Sequence, residues 1–230
     1  AVLGGIQGVK KKLESSDQAV RVEALQKAIN YGEEGLKVLR EATVEDKEIV
    51  ARHPNTPVEI LQSLARDEYG GVRESVAENP NTSVEILQSL AQDKRWEVRR
   101  RVAENPKTSV EALQFLAQDK SWEVRRRIAE NPKTPVEALH SLARDTASGV
   151  SGRALDQLQA MAKNPNTPVE ILHSLARDTA SGVRRRVAEN PNTPVKILQF
   201  LAGDVDEGVR RRVAEHPNTP AEALQSLAQD

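Results

Sequence analysis

The chain has 230 residues, a formal net charge of −1 and no cysteine, and only 3% of its residues are aromatic. The absence of thiols excludes disulfides, iron–sulfur clusters and cysteine nucleophiles, and the balanced charge excludes a chain-wide attraction for nucleic acid or membranes. Burial must therefore come from Leu, Val, Ile and Ala, which favours thin, layered packing over one large core.

The first 50 residues carry helical patterns outside the repeats that follow. The patterns cover about residues 5–14, 17–31, 34–42 and 44–52. The segment at 22–32, Val-Glu-Ala-Leu-Gln-Lys-Ala-Ile-Asn-Tyr-Gly, resembles HEAT-type helical repeats. We therefore predict that residues 1–50 form a HEAT-like N-terminal helical cap.

A prolyl turn recurs through the rest of the chain and marks seven repeat units. Successive turns are 26 residues apart, except for one separation of 33 residues. The prolines are Pro54, Pro80, Pro106, Pro132, Pro165, Pro191 and Pro217. A fixed period of this length is typical of a solenoid, in which neighbouring units supply each other's core. The chain begins at Ala1 without Met and ends at Asp230 inside a repeat, so we expect a piece of a longer protein.

The unit at residues 53–78 shows how one repeat is expected to fold. Thr56 is predicted as the N-cap of a first helix, with Pro57 at the first helical position and Glu59 completing a capping box. The helix is predicted to run to about Arg66 and to bury one face. That face comprises Val58, Leu61, Leu64 and Ala65.

A second helix is predicted from about Val72 to Glu78. It ends there because Pro80 follows Asn79, and the residue before proline disfavours the helical conformation. Helices this short are unstable alone, so stacking on neighbouring units must stabilise them. The sequence therefore predicts an all-α solenoid of paired short helices over residues 51–230.

One unit, at about residues 132–164, is seven residues longer than the others. Seven residues are nearly two helical turns, so the second helix of this unit is predicted to lengthen over about 150–163. Leu155, Leu158 and Met161 are predicted to keep its apolar face.

Two phrases of the repeat resemble the leucine-rich repeat variant family: Asn-Pro-Asn-Thr-Pro-Val-Glu-Ile-Leu-His-Ser-Leu-Ala-Arg-Asp at 164–178, and Val-Arg-Arg-Arg-Val-Ala-Glu-Asn-Pro at 183–191. The resemblance implies a right-handed superhelix of paired helices, either α/α or α/3-10, and a binding scaffold. The founding type of that family carries an iron–sulfur cluster on cysteines. Because this chain has none, we predict no cofactor.

Arginine triplets recur in the second helices at 99–101, 125–127, 184–186 and 210–212. The first arginine of each triplet is interpreted as structural, paired with an aspartate that recurs just upstream in every unit. Glu97 with Arg101, and Arg100 with Glu104, have the spacing of ion pairs within a helix. The second arginine of each triplet points most directly away from the valine face. These equivalent arginines form the second column and are the candidate binding stripe: Arg100, Arg126, Arg185 and Arg211. A solvated, salt-bridged face remains the alternative.

Aromatic residues interrupt the repeat at two positions. Trp96 and Trp122 share one position, so they are either a contact hot spot or helix-start packing. The other units have Gly70, Ser148, Ser181 and Glu207 there. Phe115 and Phe200 stand where five other units have serine, and could form a contact surface or fill a gap.

The histidines give a weaker signal. His140 and His173 replace a glutamine in consecutive units, but no third metal ligand is placed near them, so we predict no metal site. His53 and His216 precede prolines and are interpreted as turn residues. No phosphate loop, nucleophile elbow or catalytic triad pattern is present in the sequence.

These observations favour a cytoplasmic, non-catalytic scaffold that binds a protein partner. The alternatives are binding of nucleic acid or an acidic partner through stacked arginines, and self-assembly through the C-terminal end. No apolar run is long enough to predict a membrane-spanning segment.

Overall fold

The computed structural model describes residues 5–229, which form α-helices, one 3-10 helix and short turns, without strands. None of these helices combines the length and apolar character needed to cross a membrane. Contacts divide the chain into two compact units, Ala1–Asn131 and Pro132–Asp230. The predicted cap at 1–50 lies within the first unit, and its boundary stays a prediction.

The first unit begins with four helices and continues as three helix pairs. The pairs are α5–α6, α7–α8 and α9–α10, and the second helices stack on one another in the order α4, α6, α8 and α10. The helices are α1 (Ile6–Leu13), α2 (Gln18–Ala28), the 3-10 turn Ile29–Tyr31, α3 (Gly32–Glu41), α4 (Val44–Arg52), α5 (Val58–Leu64), α6 (Gly70–Glu78), α7 (Val84–Leu90), α8 (Trp96–Glu104), α9 (Val110–Leu116) and α10 (Trp122–Glu130).

The second unit contains three more pairs and a final first helix. Its second helices stack in the order α12, α14 and α16. The helices are α11 (Val136–Leu142), α12 (Ser148–Lys163), α13 (Val169–Leu175), α14 (Ser181–Glu189), α15 (Val195–Ala202), α16 (Glu207–Glu215) and α17 (Ala221–Leu227). The predicted all-α repeat fold is confirmed, and the second helix of each described pair is α rather than 3-10.

The predicted capping box at Thr56 is wrong. The first helix begins at Val58 with Pro57 as its N-cap, and the buried Thr56 hydroxyl instead donates to Val50 O at 2.5 Å. Serine in the proline position does cap: Ser83 Oγ accepts from Ile86 N at 3.4 Å. Thr56 therefore closes the turn against the preceding helix instead of starting the next one.

The buried face of the first helix also differs from the prediction. Val58 is 42% exposed, whereas Ile60, Leu61 and Leu64 are buried. At about 100° per residue, Ile60, Leu61 and Leu64 share one face of the helix, and Val58 lies about 110° from the centre of that face. Ala65 lies after the helix as its C-cap and is half-buried.

The long second helix of the 33-residue unit is confirmed as α12, with 16 residues. Its buried residues recur at four-residue spacing: Val150, Ala154, Leu158 and Ala162. Leu158 was predicted to be on this face, but Leu155 and Met161 are only half-buried beside it. The added turns therefore continue the narrow buried face that the other second helices also have.

Candidate functional surface

At Asn79, Asn105 and Asn190, the asparagine before the proline ties its repeat back to the preceding one. Asn105 is buried, and its Nδ2 donates to Ala77 O at 2.7 Å and Asn79 O at 3.1 Å. Its Oδ1 accepts from Lys107 N at 2.9 Å, which shapes the prolyl turn. The same bonds recur at Asn79 and Asn190, so this residue links successive repeats within each unit.

His216 takes over this linking role in the last described turn. Its Nδ1 accepts from Asn218 N at 3.1 Å, so the proton must lie on Nε2, which is 3.0 Å from Asn190 O. The interpretation as a turn residue was therefore incomplete. The histidine bonds both its own turn and the previous repeat.

Three second helices are tied forward to the next repeat through the arginine of the first column, at Arg73, Arg99 and Arg184. Arg99 Nε donates to Asp119 Oδ2 at 2.5 Å and its Nη2 to Oδ1 at 2.8 Å, while Nη1 donates to Asp93 O at 2.7 Å. Only 15% of the Arg99 side chain and 5% of the Asp119 side chain are exposed. Arg73 and Arg184 make equivalent bidentate pairs. The first column is therefore structural as interpreted, but the predicted partner was wrong: the paired carboxylate belongs to the following repeat, and the upstream aspartate offers only its backbone oxygen.

These pairs predict acid sensitivity. Burial raises the pKa of the Asp93 carboxyl, but hydrogen bonds from Arg73 and from the Arg95 backbone, with the Arg73 charge, outweigh burial and hold that pKa below its ordinary value. A lowered pKa in the folded state stabilises the fold above the unfolded value of about 3.9, and this contribution is lost as pH falls through the folded value. Denaturant unfolding of the wild type should therefore weaken below about pH 4. Asp93→Asn should be less stable at pH 7 and show a shallower decline. Parallel pH curves for the two proteins would contradict this assignment.

Asp178 is a buried aspartate of the same column with a different partner. In the preceding repeat, Ser151 occupies the position of the first arginine. His140 Nε2 instead lies 2.9 Å from Asp178 Oδ2, although the ring N–H is not directed as in a hydrogen bond, so the contact is electrostatic at most. His140 is thus placed where the missing arginine would act, and His173 is not brought to the same carboxylate.

The predicted binding stripe lies beside carboxylates of the chain itself. The Arg100 guanidinium stacks over the Trp96 ring at 5.8 Å and lies 3.6 Å from Glu74. The other three contacts are Arg126 with Glu130 at 3.1 Å, Arg185 with Asp206 at 3.1 Å and Arg211 with Glu207 at 2.9 Å. The stripe is therefore largely neutralised, as the salt-bridged alternative describes.

The third arginine column forms ion pairs between repeats. Arg101 Nε donates to Glu74 one repeat back at 2.9 Å, and its Nη1 donates to Glu104 at 3.2 Å. Arg127 contacts the same Glu104 at 2.8 Å, so one carboxylate serves two repeats. The expected pair of Glu97 with Arg101 is wrong, since Glu97 contacts Arg95.

The aromatic residues remain on the surface. Trp96 and Trp122 begin α8 and α10 and are 38% and 46% exposed, while Phe115 and Phe200 are 58% and 55% exposed. None of them fills a gap in the core. The gap-filling interpretation is therefore wrong for the two phenylalanines, and the two tryptophans are only partly buried at their helix starts.

Each phenylalanine lines a surface groove of the same construction. The Phe115 groove has a cavity volume of about 580 Å³, and the Phe200 groove about 410 Å³. Both lie between the turn after one first helix and the end of the next first helix, and both include the bidentate arginine–aspartate pair. The Phe115 groove is lined by Ala91, Gln92, Asp93, Lys94, Arg99, Gln118, Asp119 and Lys120. Sequence reasoning identified the phenylalanines but not the grooves.

Residues 5–229 contain no group of three or more His, Asp or Glu side chains able to hold a metal ion. The comparison with known families matches the C-terminal part of the chain. The leucine-rich repeat variant domain matches residues 156–216, and the leucine-rich repeat variant matches residues 207–230. Residues 156–230 of this chain are therefore similar to the leucine-rich repeat variant family. The 26-residue units that precede the matched region have the same prolyl turn and bonding pattern.

Among solved structures, a leucine-rich repeat variant described as having a novel repetitive structural motif is 25% identical, with a TM-score of 0.47. The match covers 94% of this chain and 87% of that one. An engineered protein is 20% identical with a TM-score of 0.42, covering 98% of this chain and 71% of that one. A designed armadillo repeat protein in complex with the peptide (KR)4 is 16% identical with a TM-score of 0.28, covering 97% and 100%. No curated protein matches at a significant level.

Proposed function

We propose that this repeat chain is a non-catalytic scaffold that binds a protein partner through its exposed aromatic residues. One observation carries the proposal: four large aromatic side chains are 38–58% exposed at positions where sibling repeats have small or polar residues. The fold does not need them, and large exposed rings favour contact with another protein.

The arginine stripe supports this assignment better than it supports nucleic-acid binding. Each second-column arginine lies within 3.6 Å of a carboxylate of the chain, so binding a phosphate backbone would first require these pairs to open. The net charge of −1 adds no long-range attraction for a polyanion. The stacked Arg100 and Trp96 side chains instead present a flat, polar-edged surface of the kind enriched at protein interfaces.

The sibling repeats supply substitutions that should leave the fold intact. The first double variant, Trp96→Ser with Trp122→Ser, introduces the serine that is found at positions 148 and 181. The second, Phe115→Ser with Phe200→Ser, introduces the serine that five other units have at that position. A hot-spot aromatic contributes about 2 kcal/mol or more, so at least one double variant should lose about 30-fold or more in affinity for the partner. Cross-linking in cells that express the chain, followed by quantitative binding of the captured protein, measures this loss.

A matched control is Val169→Ala, which changes a 48% exposed side chain to the alanine found at position 221 and lies outside the tryptophan positions and both phenylalanine grooves. It should bind the partner as the wild type does. If the wild type, the two double variants and the control variant all bind the same partner with equal affinity, the exposed aromatic residues are not the binding surface and the proposal is wrong.

A further inference from the structure

The Phe115 groove combines an exposed ring with two lysines at its rim. Phe115 is 58% exposed, and neither Lys94 nor Lys120 forms an ion pair with any residue in the described part of the chain. Both lysines are exposed. The groove therefore offers one apolar contact between two available ammonium groups.

The carboxylates within the groove are already neutralised. Asp119 is held by the bidentate contact from Arg99, and Asp93 by the equivalent contact from Arg73. Both aspartate side chains are less than a tenth exposed. The charge that a ligand meets at the rim is therefore that of Lys94 and Lys120, which is positive.

The other lining groups suit a polypeptide. The Gln92 and Gln118 side chains each carry an amide donor and a carbonyl acceptor, which match the N–H and C=O of an extended backbone. A volume of about 580 Å³ is within the range of ligand clefts and large enough for an apolar side chain with its flanking backbone.

We propose that the Phe115 groove binds a short acidic segment of a partner protein, with one large apolar side chain packed on Phe115 and carboxylates beside Lys94 and Lys120. This inference rests on the proposed scaffold function and names the chemistry of the partner. The aromatic contact gives affinity, and the lysines select acidic flanks.

The Phe200 groove provides an internal comparison. Thr179 and Val205 stand there at the positions of Lys94 and Lys120. The Arg177 guanidinium stacks over the Phe200 ring at 5.7 Å and covers part of its face. This groove should therefore bind the same acidic segment more weakly.

The test uses the full chain and fluorescein-labelled ten-residue peptides read by fluorescence anisotropy. The probe has a central Trp flanked by Asp and Glu. One control peptide has Ala for the Trp, and another has Asn and Gln for the acidic residues. The wild type should bind the probe at least about tenfold more tightly than either control, and high salt should weaken only the acidic peptides.

The variants again follow the sibling repeats. Phe115→Ser and the double change Lys94→Thr with Lys120→Thr should each weaken probe binding at least about tenfold, whereas Phe200→Ser should bind nearly as the wild type does. Thermal unfolding followed by circular dichroism verifies that each variant is folded.

Three results would overturn the inference: equal binding of all three peptides, no loss in Phe115→Ser, or tighter binding of a single-stranded oligothymidine than of the acidic probe. The last would identify a nucleic acid as the ligand. If the peptides do not bind as expected but the tryptophan variants still lose affinity for the captured partner, only this inference is wrong. Failure of both experiments removes the scaffold proposal as well.

Discussion

Replacement of Arg99 by Met should lower the free energy of unfolding by about 3–5 kcal/mol, the largest single-residue loss that we expect in this chain. The Asp119 carboxylate, 5% exposed, would lose its bidentate partner, and the Asp93 carbonyl would lose the Nη1 donor. A buried charge without a partner is far less stable than the same charge in water. Equilibrium unfolding in guanidinium chloride measures the change.

Two control variants separate this effect from the general loss of an arginine. Arg211→Met removes a guanidinium that is 65% exposed and should change stability by about 0.5 kcal/mol or less. The pair Arg99→Met with Asp119→Leu removes both charges and should recover at least about half of the loss, since no unpaired carboxylate remains. If the double variant is less stable than Arg99→Met, the stranded-charge explanation is wrong.

Asn105→Ala should be the second most damaging change, at about 2–4 kcal/mol. The substitution leaves Ala77 O and Asn79 O without their amide donor and Lys107 N without its acceptor. A buried polar group without a partner destabilises a fold by about 1–3 kcal/mol. Because the bonds join two repeats, the loss should appear as reduced cooperativity between neighbouring repeats as well as reduced stability.

Asn105→His and Asn105→Asp are the matched comparisons for this prediction. Histidine occurs naturally at position 216, where Nε2 reaches the previous repeat and Nδ1 accepts from its own turn, so it should retain part of the stability. Aspartate would direct a carboxylate at backbone carbonyl oxygens and should be at least as unstable as alanine. An Asn105→His protein no more stable than Asn105→Ala would contradict the linking role.

The repeat period and the helix pairs could be predicted from the sequence because proline, capping residues and apolar spacing act locally. The role of Thr56 could not, since its hydroxyl donates to Val50 O at the end of the preceding helix. A capping box and this backward bond both require a threonine followed by a helix, so the same residue pattern fits either structure. Only the stacked arrangement distinguishes them.

The aromatic residues of the candidate surface could be predicted from the sequence, but the groove beside them could not. The irregular positions Trp96 and Phe115 stand out in any alignment of the repeats with one another, and both are exposed. The groove beside Phe115 was not predictable, because the residues on its two sides come from successive repeats. The partner of Arg99 was also hidden, since Asp119 is 20 residues ahead and Asp93, the aspartate closer in sequence, offers only its backbone oxygen.

The two links between repeats also bear on how such a chain can change in length. Gain or loss of a whole 26-residue period carries a complete set of donors and acceptors with it. The seven extra residues of α12 lie before Ala162, and Asn190 still reaches back to Ala162 O and Asn164 O at 2.8 Å. They lie after Ser151, however, and so would interrupt an arginine link from that position to Asp178. The forward link would therefore span the insertion, whereas the Asn190 link lies wholly after it, and Asn164, the linking position of the lengthened unit, is exposed rather than buried. Duplication by whole periods and lengthening within a second helix therefore leave distinct marks on the links between repeats.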